Sequence, residues 1–257
     1  MKLSHEFDVP GFSLPAVRRV AGDRPFAWLA AGWRDLKANP LPSLAYGLLF
    51  ALGGDLIILA AFNHPHLVTV SVSGFFLVAP LLAAGLYELS RSAARGEWLM
   101  FIDSLRCFRR NGQSLALFGL LLALVAILWE RFTAIAFALL GGSSGIDTGV
   151  FLGRILLGGE HLGFVAAWIA LGAVLALAIF AVTVVSVPMM LDRDADVATA
   201  MMASLRAFAA NPAPLLLWAA LIVALTLFGF ATLLFGLVVI MPILGHASWH
   251  AYRELVE

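Results

Sequence analysis

His246 and His250 are the side chains best placed to do chemistry, because four residues of separation puts both imidazoles on one face of a helix. With Trp249 and Tyr252 beside them they can grip a haem edge, a metal or a quinone. The plainer reading is a helix anchored at a membrane interface, where amphipathic aromatic and imidazole groups are favoured. Two histidines alone do not complete a metal site, and no Cys, Asp or Glu joins them at ligand spacing, so neither cofactor nor metal is assigned. His64 and His66, with Glu160 and His161, form a second candidate for Zn or Cu on the opposite side of the membrane, where solvated loop histidines are the commoner case. Cys107 is the lone cysteine and excludes an internal disulfide. No nucleophile elbow, P-loop, HExxH helix or dinucleotide fingerprint is present, which makes an enzyme the least favoured class.

Three polar groups fall inside or at the ends of apolar stretches: Asp55 after Gly53-Gly54, and the pair Glu130 and Arg131. A carboxylate in hydrocarbon costs a few kcal/mol and normally faces a partner charge, water or the protein interior. Counted from the asparagines discussed below, Asp55 and Arg131 sit about 24 and about 30 Å along their helices, so Asp55 is expected to be satisfied within the protein, by Arg131 or by polar groups of the outer segment. Arg34, Arg106 and Arg206 lie on amphipathic segments and suit anionic lipid headgroups. Ser71, Ser73, Thr183 and Ser186 are a thin supply of further polar groups for a transport path. Glycines at 141, 145, 149 and 153 have the spacing of close helix contact, in a stretch that also holds Asp147 and Arg154.

The elements that carry these residues follow from composition. Apolar residues make up 62% of the 257 positions and charged residues 12%, a balance that no water-soluble fold of this size can bury. Sixteen basic and sixteen acidic side chains give no net charge, and no nucleic-acid partner is implied. About 20 apolar residues span the hydrocarbon core. Suitable stretches occur at 41–62, 68–90, 113–131, 162–190 and 212–250, the last divided near Gly229 into a hairpin, giving six transmembrane helices. Fourteen of the sixteen Lys and Arg then lie on one side, with only Arg131 and Arg154 on the other, which places both termini in the cytoplasm. Residues 1–25 lack a continuous apolar core and are expected to be a cytoplasmic tail rather than a signal peptide.

Positions 26–257 then form a single membrane domain built on an internal repeat. WRDLKANP (33–40), LRCFRRNG (105–112) and LRAFAANP (205–212) align on Asn39, Asn111 and Asn211, and apolar residues precede each asparagine at helical spacing. The spacing predicts surface helices over 26–38, 97–110 and 197–210, each ending at an asparagine that caps the following span. Pro80, Pro188 and Pro242 mark kinks in the returning spans, and Arg91 and Arg253 both lie eleven residues beyond their prolines. The fold expected is all-α: three hairpins, each preceded by a cytoplasmic amphipathic helix, over 26–91, 97–193 and 197–257, with an outer insertion at 132–161 in the second.

The run PILGHASWHAYRELV (242–256), following the repeated Arg and Asn-Pro segments, resembles a bacterial family of predicted integral membrane proteins carrying a domain-of-unknown-function label. The GHASWHAYR motif, Gly245 to Arg253, is the specific part of that resemblance. The resemblance implies six helices in a bacterial inner membrane and no established activity. Some members are labelled cytochrome c oxidase subunit I, a far longer chain with a larger set of haem and copper histidines. The expected function is an uncharacterised, non-catalytic inner-membrane protein with a structural or assembly role, in contact with the lipid bilayer and with a membrane-protein partner or a second copy. The alternatives are a small-solute or lipid transporter, and a haem- or quinone-binding protein.

Overall fold

The computed structural model describes residues 15–63, 82–141 and 162–257. Those residues fold into helices α1 (Arg24–Ala38), α2 (Pro40–Asn63), α3 (82–93), α4 (Phe101–Ser104), α5 (Phe108–Gly141), α6 (Leu162–Thr183), α7 (Ser186–Arg193), α8 (Val197–Ala210), α9 (Pro212–Ala231) and α10 (Leu237–Leu255). A single turn of 3-10 helix, Leu105–Cys107, joins α4 to α5, and an isolated antiparallel bridge pairs Val17 with Val256.

Four helical stretches are long and apolar enough to cross a bilayer: Pro40–Leu59, Phe101–Ala136, Leu162–Arg193 and Pro212–Ala231. The protein is therefore a multi-pass integral membrane protein. Most of the expected second span, 68–90, lies outside the described residues, which include only its α3 end. The expected sixth span corresponds to α10, which is not among the four. Its apolar part runs only from Leu237 to Gly245, about 14 Å at the helical rise, and then His246, Ser248, His250, Arg253 and Glu254 follow. The α9–α10 hairpin also turns later than Gly229. Helix α9 continues to Ala231, and Thr232 closes the turn by donating to the Gly229 carbonyl (2.7 Å) and accepting from the Gly236 amide (2.8 Å).

Helices form over two of the three segments expected to lie at the surface. Pro25 opens α1, and Asp196 caps α8 by accepting from the Thr199 amide at 3.0 Å. The middle one is a correction: residues 97–100 are not helical, and the stretch continues as α4, its 3-10 turn and the first residues of α5. The cause is visible in the backbone, where Asn39 Nδ2 donates to the Leu99 carbonyl (2.9 Å) and Met100 is extended (ψ 162°), so the helix cannot start before Phe101.

The core sits at the end of the bundle where the surface helices lie. Helix α1 buries Pro25, Trp28, Ala31, Gly32 and Leu36 against α10, and Trp28 meets Trp218 edge-on with ring centroids 5.9 Å apart. The α1 and α10 backbones approach so closely that a Cβ at Gly32 would lie 2.5 Å from the Ile243 carbonyl oxygen and 2.8 Å from the Ala247 nitrogen. Trp28, Phe118, Met190, Trp218 and Tyr252 are all essentially inaccessible there. Toward the α9–α10 turn most apolar side chains point outward instead, although Leu234 and Leu237 pack on Ala51. Only 6% of the most apolar window of Leu162–Arg193 is buried, the exposure expected of a surface solvated by lipid.

Candidate functional site

Three polar assemblies occupy the end of the bundle that carries the surface helices. The first is built by the asparagines. Asn39, Asn111 and Asn211 share one non-helical conformation (φ/ψ −135/71°, −140/41° and −135/54°), which bends each surface segment into the following span. The expected capping role is corrected: Asn211 makes no side-chain cap bond to α9. All three side-chain amides reach sideways instead, to the backbone leading into another surface segment. Asn39 donates to Leu99 O, just before α4 (2.9 Å); Asn111 donates to Ala195 O (2.8 Å), just before α8, and to Met190 O (3.0 Å). Asn211 donates to Arg18 O (2.8 Å) and accepts from the Val20 amide (2.8 Å), just before α1. The physical reason is that an amide with two donors and an acceptor, wholly or partly buried, is better satisfied by an irregular segment, whose carbonyls are free, than by a helix start, which offers only N–H groups. Residues 16–20 of the expected tail are thereby fixed, helped by Arg18 N to Leu255 O (2.9 Å), Glu257 N to Ala16 O (3.0 Å) and the Arg18–Glu257 ion pair.

The second assembly joins the ends of α3, α7 and α10. Arg91 contacts Glu88 and Asp192 at 3.2 Å each, and all three are nearly buried. Tyr252 donates to Asp192 (2.9 Å) and accepts from Arg193 (3.0 Å), while Arg253 and Arg110 reach Asp192 and Glu88 from the rim at 3.3 and 3.5 Å. Rim pairs of this kind contribute about 0–1 kcal/mol. The buried Arg91 is different, since removing one partner of such a group costs about 3–5 kcal/mol. At the rim of the bundle Arg24 forms a two-bond pair with Glu254 (2.6 and 3.0 Å), and the hydrogen bond and charge of Glu254 raise the guanidinium above its ordinary pKa.

The third assembly contains the histidines. His246, 1% exposed, holds Ser43 of α2 at Nε2 (2.9 Å) and Ser90 of α3 at Nδ1 (2.7 Å). Ser43 also donates to the Asn39 carbonyl (2.8 Å), Ser90 also donates to Asp35 Oδ2 (2.6 Å), and His250 Nε2 meets the same carboxylate oxygen at 2.9 Å. For Asp35 burial favours the neutral acid, but the hydrogen bonds from His250 and Ser90 outweigh it and hold the carboxyl below its ordinary range. Trp249 does not join this chain; it is buried against Tyr252, with centroids 5.5 Å apart. Both ring nitrogens of His246 are already engaged, so a haem or metal ligand there would have to displace a serine. Among the described residues no group of three His, Cys, Asp or Glu could hold a metal ion.

The remaining candidates are scattered. Arg131 lies on its neighbour Glu130 (2.6 Å) rather than on Asp55, which is exposed and has no ion pair or hydrogen bond with any described residue. The expected Asp55–Arg131 pair is therefore corrected: adjacent carboxylate and guanidinium need no long-range folding to meet. Arg34 and Arg206 are exposed on α1 and α8, whereas Arg106 is paired with Asp103 at 3.1 Å. Thr183 donates to the Phe180 carbonyl of its own helical turn, and Ser186, at the start of α7, donates back to the Val182 carbonyl of α6. Pro188 lies just beyond the break between α6 and α7, where Ser204 of α8 accepts from the Val185 amide (3.3 Å) and donates to Ala181 O (2.8 Å); Pro242 lies within α10. Pro80, Ser71, Ser73, His64, His66, Glu160, His161 and the glycines at 145, 149 and 153 lie outside the described residues.

Residues 67–192 match the model of a family described as "predicted integral membrane protein (DUF2189)". No curated protein and no solved structure matches the chain.

Proposed function

We propose that the protein is a non-catalytic component of a bacterial inner membrane with a structural or assembly role. In this reading the chain crosses six times as three repeats, with both termini cytoplasmic, and works with a membrane-protein partner or a second copy of itself. The observation that carries it is the asparagine relay. Repeat one is tied to the entry of repeat two, two to the entry of three, and three to the entry of one, which is the pattern expected of three like units closed around an axis along the membrane normal. Most polar groups at this base are spent on one another and on backbone, the buried Trp218 indole nitrogen excepted, which favours a rigid cytoplasmic platform over a substrate site. Arg34 and Arg206 at its rim suit anionic lipid headgroups. A transporter would need facing polar groups at mid-depth, and the buried polar clusters among the described residues gather instead at the base.

The test is purification in mild detergent alongside reconstitution into vesicles. The proposal expects a stoichiometric complex with one membrane protein or with a second copy, and solute leakage no faster than from protein-free vesicles. A solitary chain that moves solute, with the flux lost in Asp55→Asn, contradicts it and promotes the transporter reading. Stoichiometric haem lost in His246→Ala promotes the cofactor reading.

A further inference from the structure

We infer that the chain His250–Asp35–Ser90–His246–Ser43 is a binding site for one exchangeable proton, loaded from the cytoplasmic surface through His250 and stored on the buried His246.

The inference rests on counting hydrogens. Five links run from the Asn39 carbonyl through Ser43, His246, Ser90 and Asp35 to His250. Each link needs one hydrogen. The two hydroxyls supply one each, His250 supplies one from Nε2, and a neutral His246 supplies one. With Asp35 ionised the total is four, so one link is made of two acceptors facing each other. A fifth hydrogen completes the chain in either of two arrangements: imidazolium with carboxylate, or imidazole with carboxylic acid. They differ only by a shift along Ser90, which passes its own hydrogen to one neighbour while accepting one from the other. No other bond changes, and the proton comes from water.

The charge of Asp35 favours uptake, while burial of the His246 ring opposes it. The titratable groups facing His246 are Asp35 from α1 and His250 from its own helix, while α2 and α3 contribute hydroxyls and the Leu86 carbonyl. Uptake converts a buried pair of net charge −1, ionised Asp35 with neutral His246, into a neutral one, which lessens the cost of holding charge away from water. Accessibility sets the direction of loading: the side chain of His250 is 33% exposed and that of Asp35 19%, while His246 is 1% exposed. Beyond Ser43 the chain ends on a backbone carbonyl. The site therefore stores a proton and does not conduct one across the membrane. Because its members come from α1, α2, α3 and α10, the stored proton adds a hydrogen bond to the contacts that hold the base together.

The test uses the full chain in lipid nanodiscs, labelled with 15N at histidine, with the His246 signals identified by their loss in His246→Gln. As the pH is lowered from about 8 to about 3 the His246 ring is expected to pass from one protonated nitrogen to two, both hydrogen-bonded. Ser90→Ala is expected to lower its midpoint by about one pH unit, a tenfold loss of proton affinity, while Ser90→Thr, which keeps the hydroxyl, retains it. Should Ser90→Ala not fold, Asp35→Asn carries the same readout. A ring that stays singly or doubly protonated throughout overturns the inference, as does a midpoint unmoved by losing Ser90 or the Asp35 charge.

Discussion

Asn211→Ala should loosen the closure between the first and last segments of the chain. The side chain is 2% exposed and holds Val20 N and Arg18 O at 2.8 Å each, with a weaker bond to Ala207 O at 3.2 Å. Truncation leaves a part-buried amide and carbonyl in irregular backbone without those partners, at about 1–3 kcal/mol for each unsatisfied group, hence about 2–6 kcal/mol together. Asn39→Ala breaks one such bond, to Leu99 O, and should cost about 1–3 kcal/mol. The segment released by Asn211→Ala contains Arg18 and Arg19, so trypsin offers a local assay beside thermal unfolding in nanodiscs. Cleavage at those arginines should accelerate in Asn211→Ala and remain slow in Asn39→Ala, and the loss of stability should be the larger for Asn211→Ala. Equal losses, or unchanged cleavage, would refute the claim that Asn211 anchors the residues ahead of α1.

Asp35 gives a pH prediction. Its folded-state value is depressed, so the stability it contributes is fully present above the unfolded value of about 3.9 and is lost as pH falls through the lower folded value; Asp35→Asn should flatten that acid limb in pH-dependent unfolding. Arg91→Met should cost about 3–5 kcal/mol by stranding Glu88 and Asp192, and combining it with Asp192→Asn should cost less than the sum, read as a double-mutant cycle. Gly32→Ala places a methyl against the α10 backbone and should destabilise by about 1–3 kcal/mol in thermal unfolding. Asp55→Ala and Arg131→Ala should be additive within about 0.5 kcal/mol, since Arg131 lies on Glu130; a larger coupling would restore the pair expected from helix depth.

The periodic features were legible in the sequence, and the pairings were less so. Apolar length gave four of the spans, and the aligned asparagines gave bends of one conformation at three places. What those asparagines bond to depends on segments brought together by chain closure, which no local pattern encodes. The histidine chain had a signal that was passed over. Aligned on the asparagines, Asp35 stands where the other copies have Cys107 and Ala207, and Ser43 where they have Leu115 and Leu215, all four buried. Aligned on the prolines, His246 matches the buried Ala84 as well as Asp192. Polar residues at positions that are apolar core in sister copies therefore mark an interior hydrogen-bond network. The expectation for Asp55 and Arg131 failed because axial depth fixes height along the membrane normal but not which helix faces which.

The most direct test of the three-unit, twice-crossing architecture is sided labelling of single cysteines at Arg34, Glu97, Arg206 and Leu233, in right-side-out and inverted inner-membrane vesicles. The native Cys107 is 1% exposed and adds little background. Arg34→Cys, Glu97→Cys and Arg206→Cys should react with an impermeant maleimide only in inverted vesicles, and Leu233→Cys, in the exposed α9–α10 turn, only in right-side-out ones. Labelling of any of the first three from the opposite side to the other two would contradict the account.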